Sequence, residues 1–198
     1  MAEKKDQATA LYQLKITLSD SQPPIWRKLC VKDTTRLDEL HHIFQVAMGW
    51  ENCHLHEYRV DGDFIGPEDP EFDLENIDER TIPLNEIVSK PKDEFFYDYD
   101  FGDGWEHVVV LEKIHPLGFL ESPLVVAGVM ACPPEDCGGL GGYYELLDIL
   151  VNPNHANHEM MLDWLGEGFD PVEFDIDLVN EELKNLKLEL EEGEEEGR

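Results

Sequence analysis

The sequence predicts a single α+β domain: a mostly antiparallel sheet from the N-terminal half, one early helix, and C-terminal helices packed on it. Three observations carry this. Period-two alternation recurs through the first half, while helical spacing is confined to residues 37–48 and to the last third. Strands and helices are therefore segregated, which argues against a doubly wound sheet. The 198 residues, 41% hydrophobic and 10% aromatic, suffice for one core, and no internal repeat or composition shift marks a second domain.

The elements follow in order. Residues 1–9 are polar, without a hydrophobic signal region, and are expected to be disordered; the domain proper is expected over 10–188. Tyr12, Leu14, Ile16 and Leu18 share one face of a strand, and a second strand over residues 25–31 follows the Pro23-Pro24 loop, predicting an antiparallel hairpin. Thr35 is a candidate cap for a helix over 37–48. That helix ends at Gly49, with Trp50 anchoring its exit and one of His41 and His42 expected to be buried. Residues 54–60 alternate again and run into Asp61-Gly62, a two-residue hairpin signal. Residues 66–93 read as a long acidic excursion holding one short helix near 83–88. A central hairpin follows at 95–111, then a short apolar, irregular stretch at 123–130 and a proline- and glycine-rich loop at 131–142. Helices are expected over 143–151 and 158–165. A last helix, capped by Asp175 or Asp177, runs toward an acidic tail at 189–198.

The formal net charge is −30, from 45 acids against 15 bases. The tail carries only −5 of this, and residues 61–104 alone carry −12. Such a field repels a phosphate backbone, so direct nucleic-acid binding is disfavoured; cations, basic protein partners or plain solubility fit better, with a solvated acidic surface the simplest reading. No apolar run is long enough to span a bilayer. With no secretion signal, the four cysteines do not suggest a disulfide framework; a cytoplasmic protein is expected, with Cys30 and Cys53 as small buried hydrophobes.

Two stretches carry candidate chemistry. Residues 95–107 gather six aromatics, four acids, two glycines and a histidine into a strand–turn–strand pattern. Alternation places Asp98 and Asp100 on one face, the turn puts Asp103 at its tip, and His107 lies on the return strand. Carboxylates with a histidine suit a divalent metal ion, with Asp100 and His107 as ligands, or general acid–base work by Asp98, Asp100, Asp103, Glu106 or Glu135. The glycine spacing is not that of an EF-hand loop, and an ordinary strand with acids out and aromatics in is the competing reading. The second stretch is Cys132-Pro133-Pro134-Glu135-Asp136-Cys137, whose thiols have zinc-ligand spacing. Two further ligands would have to come from His54, His56, His107, His155 or His158; a rigid proline turn is the alternative. The glycines at 138–142 precede a helix but lack a Walker or Rossmann context, and no serine-hydrolase or zincin motif occurs.

Three phrases together resemble the plasmid pRiA4b ORF-3-like family. They are Pro24-Ile25-Trp26-Arg27 with Leu40-His41 and Gly49-Trp50, the run from Tyr97 to His107, and Pro133 to Gly139 with Gly142-Tyr143. The similarity extends over residues 12–183. It implies a single α+β domain and imports no mechanism. Plasmid- and insertion-element-linked names in the family include a resolvase-like one, but this sequence has no basic DNA-binding segment and no nucleophilic serine context. Some relatives carry a further cysteine where this chain has Leu124 to Gly128, so a three-thiol site is not implied here.

Three functional expectations result. One is an acidic binding or regulatory domain acting through protein contacts. Another is a metal-dependent, hydrolase-like enzyme using Asp98, Asp100, Asp103 and His107. The third is a mobile-element-associated protein with a structural zinc site at Cys132 and Cys137.

Overall fold

The computed structural model describes residues 8–67, 76–118, 123–166 and 168–196. The elements in chain order are β1 (Ala10–Leu18), β2 (Trp26–Lys32), α1 (Leu37–Met48), β3 (His56–Val60), β4 (Asp63–Gly66), β5 (Ile77–Asp78), α2 (Leu84–Ile87), β6 (Glu94–Tyr99), β7 (Trp105–Pro116), β8 (Leu124–Val129), α3 (Gly139–Leu150), α4 (His158–Leu165) and α5 (Ile176–Glu196). The strands form one sheet in the order β5-β4-β3-β6-β7-β1-β2-β8. Every pairing is antiparallel except that of β4 with the two-residue β5. The α+β class and the three hairpins read from the sequence, β1–β2, β3–β4 and β6–β7, are present.

Alternation decides which side chains reach the core. Phe95, Tyr97 and Tyr99 of β6 and Trp105, His107, Val109 and Leu111 of β7 are all essentially inaccessible. They pack against Leu40, Phe44, Ala47 and Met48 of α1, with Tyr143 of α3 and Leu183 of α5 in the same cluster. The intervening residues face the other way. There Arg59 of β3 pairs with Asp98 and Glu106 and lies over Phe96.

Four details differ from the sequence reading. The N-cap of α1 is Arg36, not Thr35; its backbone N–H meets the Glu39 carboxylate at 3.4 Å. Residues 123–130 contain an edge strand, β8, and are not irregular. The amide of Asn180 on α5 both accepts from the Val125 N–H (2.8 Å) and donates to its carbonyl (2.9 Å). A side chain thus takes the place of a missing strand neighbour and covers an otherwise open edge. Residues 76–93 of the acidic excursion are not an exposed loop but are tied to the domain. Leu84 N–H donates to Thr35 O (2.9 Å), Leu37 N–H donates to Ile82 O (3.0 Å), and Leu84 and Val88 are buried. Residues 68–75 of that excursion lie outside the described residues. Finally, α5 continues through Glu196, into the stretch read as a tail, and its first turn is capped by Asp175, whose carboxylate accepts from Asp177 N–H and Leu178 N–H at 3.0 Å. Among the described residues no helix is long and apolar enough to cross a membrane.

Asn180→Ala removes two hydrogen bonds at a partly buried edge, each worth about 1 kcal/mol. Urea unfolding should show a loss of about 2 kcal/mol; a loss indistinguishable from that of a solvent-facing Asn→Ala control would contradict the clamp.

Candidate functional site

The site is built from α1 outward. Gln45 donates from Nε2 to the Tyr97 hydroxyl (3.0 Å), and that hydroxyl lies 2.8 Å from His41 Nδ1. His41 Nε2 lies 2.6 Å from Asn52 Oδ1, and Asn52 N–H donates to Gln45 Oε1 (3.0 Å). Because an amide oxygen only accepts, His41 carries its proton on Nε2 and accepts from Tyr97 at Nδ1. The four groups close a ring whose His41, Gln45 and Tyr97 side is buried and whose Asn52 side is exposed. Within it Asn52 takes a left-handed conformation (φ 56°), turning the chain out of α1 toward His54. His41 also stacks on His56 at 3.5 Å, and His56 pairs with Glu79 at 2.8 Å.

The loop after α1 then meets two others. Asp100 ends β6 in the left-handed region (φ 53°), which swings its carboxylate off the strand's alternation. Asp103 accepts from Gly138 N–H (3.0 Å), tying the β6–β7 turn to the entry of α3. Trp50 donates from its indole to Pro133 O (3.0 Å), tying the α1 exit to the proline segment. Helix α3 begins at Gly139, inside the stretch expected to be irregular, because Gly142 lies against the preceding turn: a Cβ there would sit 1.9 Å from Cys137 O.

Four side chains converge where these loops meet. His54 Nε2 lies 3.7 Å from Asp100 Oδ2, 3.8 Å from Glu135 Oε2 and 3.2 Å from Asp136 Oδ1. His54 Nε2 and Glu135 Oε2 are buried and lack any hydrogen-bond partner. The other oxygens of the two inner carboxylates are held. Glu135 Oε1 accepts from Glu51 N–H (2.9 Å) and from the Tyr99 hydroxyl (3.0 Å), and Asp100 Oδ1 accepts from Gly102 N–H (2.9 Å). Tyr99 is kept protonated, as its donor role needs: burial, then the Glu135 carboxylate, raise its pKa. Each inner carboxylate is thus fixed through one oxygen and presents the other to His54. Asp136 is largely exposed and, like Asp100, sits at positive φ (56°). Two non-glycine residues held in this strained region at one spot are characteristic of binding and catalytic sites.

The separations fit a metal centre. Ligand atoms about 2.1 Å from a tetrahedral ion lie about 3.4 Å from one another. His54, Asp100 and Asp136 form a group whose ligand atoms all lie within 4.8 Å of each other. One imidazole with carboxylates suits zinc, iron or manganese.

The residues singled out from the sequence separate into two sets. Asp100 and Glu135 belong to the cluster. Asp98 and Glu106 do not: they face the opposite side of the sheet, paired with Arg59. Asp98 and Asp100 therefore do not share a face, because the chain leaves the strand between them. Asp103 spends its carboxylate on Gly138. His107 points into the core, with Nδ1 3.1 Å from Tyr97 O and Trp50 edge-on to its ring. Cys132 Sγ lies 3.4 Å from Arg27 Nη2, and Cys137 Sγ approaches Gly139 O. Neither joins a group of three metal-type ligands among the described residues. Cys30 is buried, whereas Cys53 is exposed. Nothing in the sequence marks His54 and Asp136 as a pair. The available signal was their adjacency to phrases already marked, Trp50 and Glu135.

An α+β domain with a histidine–carboxylate cluster at the meeting of three loops is the class that fold and geometry define. The profile of the plasmid pRiA4b ORF-3-like protein family matches residues 10–178, and the chain belongs to that family. It is similar to the uncharacterized protein y4hQ of Sinorhizobium fredii (strain NBRC 101917 / NGR234), 36% identical over 179 residues that cover 89% of this chain and 92% of the relative. It is also similar to the crystal structure of a protein of unknown function, MM3350, from Methanosarcina mazei Go1. The TM-score is 0.78 at 36% identity, covering 86% of this chain and 98% of that one.

Burial pushes the pKa of His41 down to about 3, with the His56 ring adding to the effect, and that of His107 down to about 4. Both are neutral in the fold, but in the unfolded chain they titrate near their ordinary value of 6.5. Below that value the unfolded state binds more protons, so stability is full above it and is lost as pH falls toward the folded values. Each group adds a slope approaching about 1.4 kcal/mol per pH unit. Urea unfolding from about pH 7 down to about pH 5 should show this decline, and His107→Leu should make it shallower; an unchanged slope in that variant would count against the assignment.

Proposed function

We propose that the protein is a metal-dependent hydrolase whose single divalent ion is held by His54, Asp100 and Asp136, with the Glu135 carboxylate beside them. One observation carries the reading: a buried imidazole nitrogen and a buried carboxylate oxygen, each without a hydrogen-bond partner, face each other with two more carboxylate oxygens beside them. An unpaired buried polar atom costs about 1–3 kcal/mol, and a cation at their common centre would offset both. Asp136 Oδ1 approaches His54 Nε2 to 3.2 Å without hydrogen-bond geometry, which leaves the imidazole nitrogen available to a cation.

Asp136 stands at the mouth of a cleft, so an ion here would be reachable by substrate. In such a centre the metal polarises a bound water or a substrate oxygen. Tyr99 and the Glu51 and Gly102 backbone amides orient the ligands, as outer partners do in metal sites. The free cysteines fit a reducing, cytoplasmic setting. A second reading, a domain acting through protein contacts, is favoured by α4, which buries none of its residues and exposes Met160, Leu162 and Trp164.

The test is metal content and melting temperature of protein prepared without chelator. About one equivalent of zinc, manganese or iron is expected, with a chelator lowering the melting temperature by several degrees. His54→Ala and Glu135→Gln should abolish both effects while remaining folded, and Cys132→Ala and Cys137→Ala should keep the metal. Metal lost from the cysteine variants but retained by His54→Ala would move the site to the thiols and reject this one. If the metal is confirmed, hydrolysis of ester, amide and phosphoester substrates should appear on reconstitution and vanish in His54→Ala.

A further inference from the structure

A cleft of about 590 Å³ opens beside the cluster, between the α1 exit, residues 131–136, the end of α4 and the start of α5. Its size is that of a pocket for a small ligand or a few side chains of a larger one. Carboxylates from Glu51, Glu135, Asp136, Glu173 and Asp175 line it, and Trp164, Phe169 and Phe174 supply aromatic wall. Arg27 is the one cation among the lining residues, and it is closed off. It is 1% exposed, and its guanidinium donates to Ala47 O, Trp26 O and Val129 O and contacts Cys132 Sγ. Phe174 lies over it at 3.9 Å. That stacking needs the bare backbone of Gly128, where a Cβ would come within 2.5 Å of the Phe174 ring.

We infer that this cleft is the recognition subsite of the proposed hydrolase, taking an organic cation on an apolar stem, namely the lysine or arginine side chain of a peptide. The inference rests on the metal-centre reading for its role in catalysis, but not for binding. Two features select this class. The carboxylates left over after metal binding, Glu51 and Glu173, together with Asp175, one of whose oxygens caps α5, give the cleft a negative potential that no accessible cation among its lining residues balances, and the low-dielectric wall focuses it. Aromatic faces beside those acids hold an ammonium or guanidinium group while covering its alkyl stem. An acidic ligand meets repulsion, and an aliphatic one leaves the carboxylates unpaired. Glu135 and Asp136 belong both to the cleft wall and to the cluster, so a bound peptide would lie with its backbone beside the ion.

The test is titration of the full chain with an acetylated, amidated Leu-Arg-Leu-Lys-Leu peptide, read by tryptophan fluorescence and by calorimetry, with and without added manganese or zinc. A Leu-Glu-Leu-Glu-Leu peptide and spermidine serve as the other arms. The basic peptide should bind in both metal states, weaken with salt, and lose about tenfold in affinity in Glu51→Gln/Glu173→Gln and again in Trp164→Leu. Both positions are exposed, so these variants should fold normally. Asp61→Asn/Glu94→Gln removes the same charge far from the cleft and should leave affinity unchanged. Spermidine binding as tightly as the peptide would reassign the ligand to free amines and overturn the peptide claim. Equal losses in the two double variants would reduce the effect to bulk charge and overturn the subsite. Failure of the metal reading is seen separately, as binding retained in a protein that takes up no ion.

Discussion

Two tyrosine hydroxyls buried at the end of one strand govern how this protein is put together. Tyr97 and Tyr99 both belong to the core face of β6, and neither has any exposed surface. A buried hydroxyl must be hydrogen-bonded or it costs the fold about as much as a typical core substitution. Tyr97 meets that need with Gln45 and His41 of α1. Tyr99 meets it with Cys53 N–H at 3.0 Å and the Glu135 carboxylate. The partners lie far apart in sequence, so satisfying two side chains of one strand fixes the helix, the loop after it and the proline segment against the same edge. The candidate site is where that loop, the proline segment and the turn after β6 touch.

The same logic explains which parts of the molecule were legible in the sequence. Strands β3, β6 and β7 announce themselves because one face is buried and the other wetter, β1 because Tyr12, Leu14, Ile16 and Leu18 alternate with polar residues, and α1 because Leu37, Leu40, Phe44 and Met48 repeat at helical spacing. Strand β8 did not, since its six residues, Leu-Val-Val-Ala-Gly-Val, carry no polar–apolar alternation to read. The glycine run at the start of α3 was misread for a different reason. Glycine composition signals a loop, but here the missing side chain lets a helix turn press against Cys137.

The site was half legible for a related reason. Asp100 and Glu135 stood inside the most distinctive phrases. Alternation then assigned Asp98, Glu106 and His107 to the same function, and it held for them as strand residues while failing at Asp100. The chain leaves extended geometry there (φ 53°), and one residue of backbone reversal moves a carboxylate from one side of the sheet to the loop region. No periodicity predicts a left-handed aspartate. His54 and Asp136 were beyond reach because their meaning is their distance from each other, 3.2 Å across more than eighty residues of chain. The acidity of the chain also gains a location. Much of it is dispersed, yet five of its carboxylates ring one cleft in which the lone arginine is sealed away.

The most direct measurement is anomalous diffraction from crystals of the protein grown with manganese or zinc, recorded above and below the absorption edge of the added ion. The account predicts one strong peak between His54 Nε2 and the oxygens of Asp100 and Asp136, at about 2.0–2.2 Å from each of these ligand atoms, with the Glu135 carboxylate beside it. A map without a peak there, or with His54 donating directly to Asp136 and the peak at Cys132 or Cys137, would contradict it.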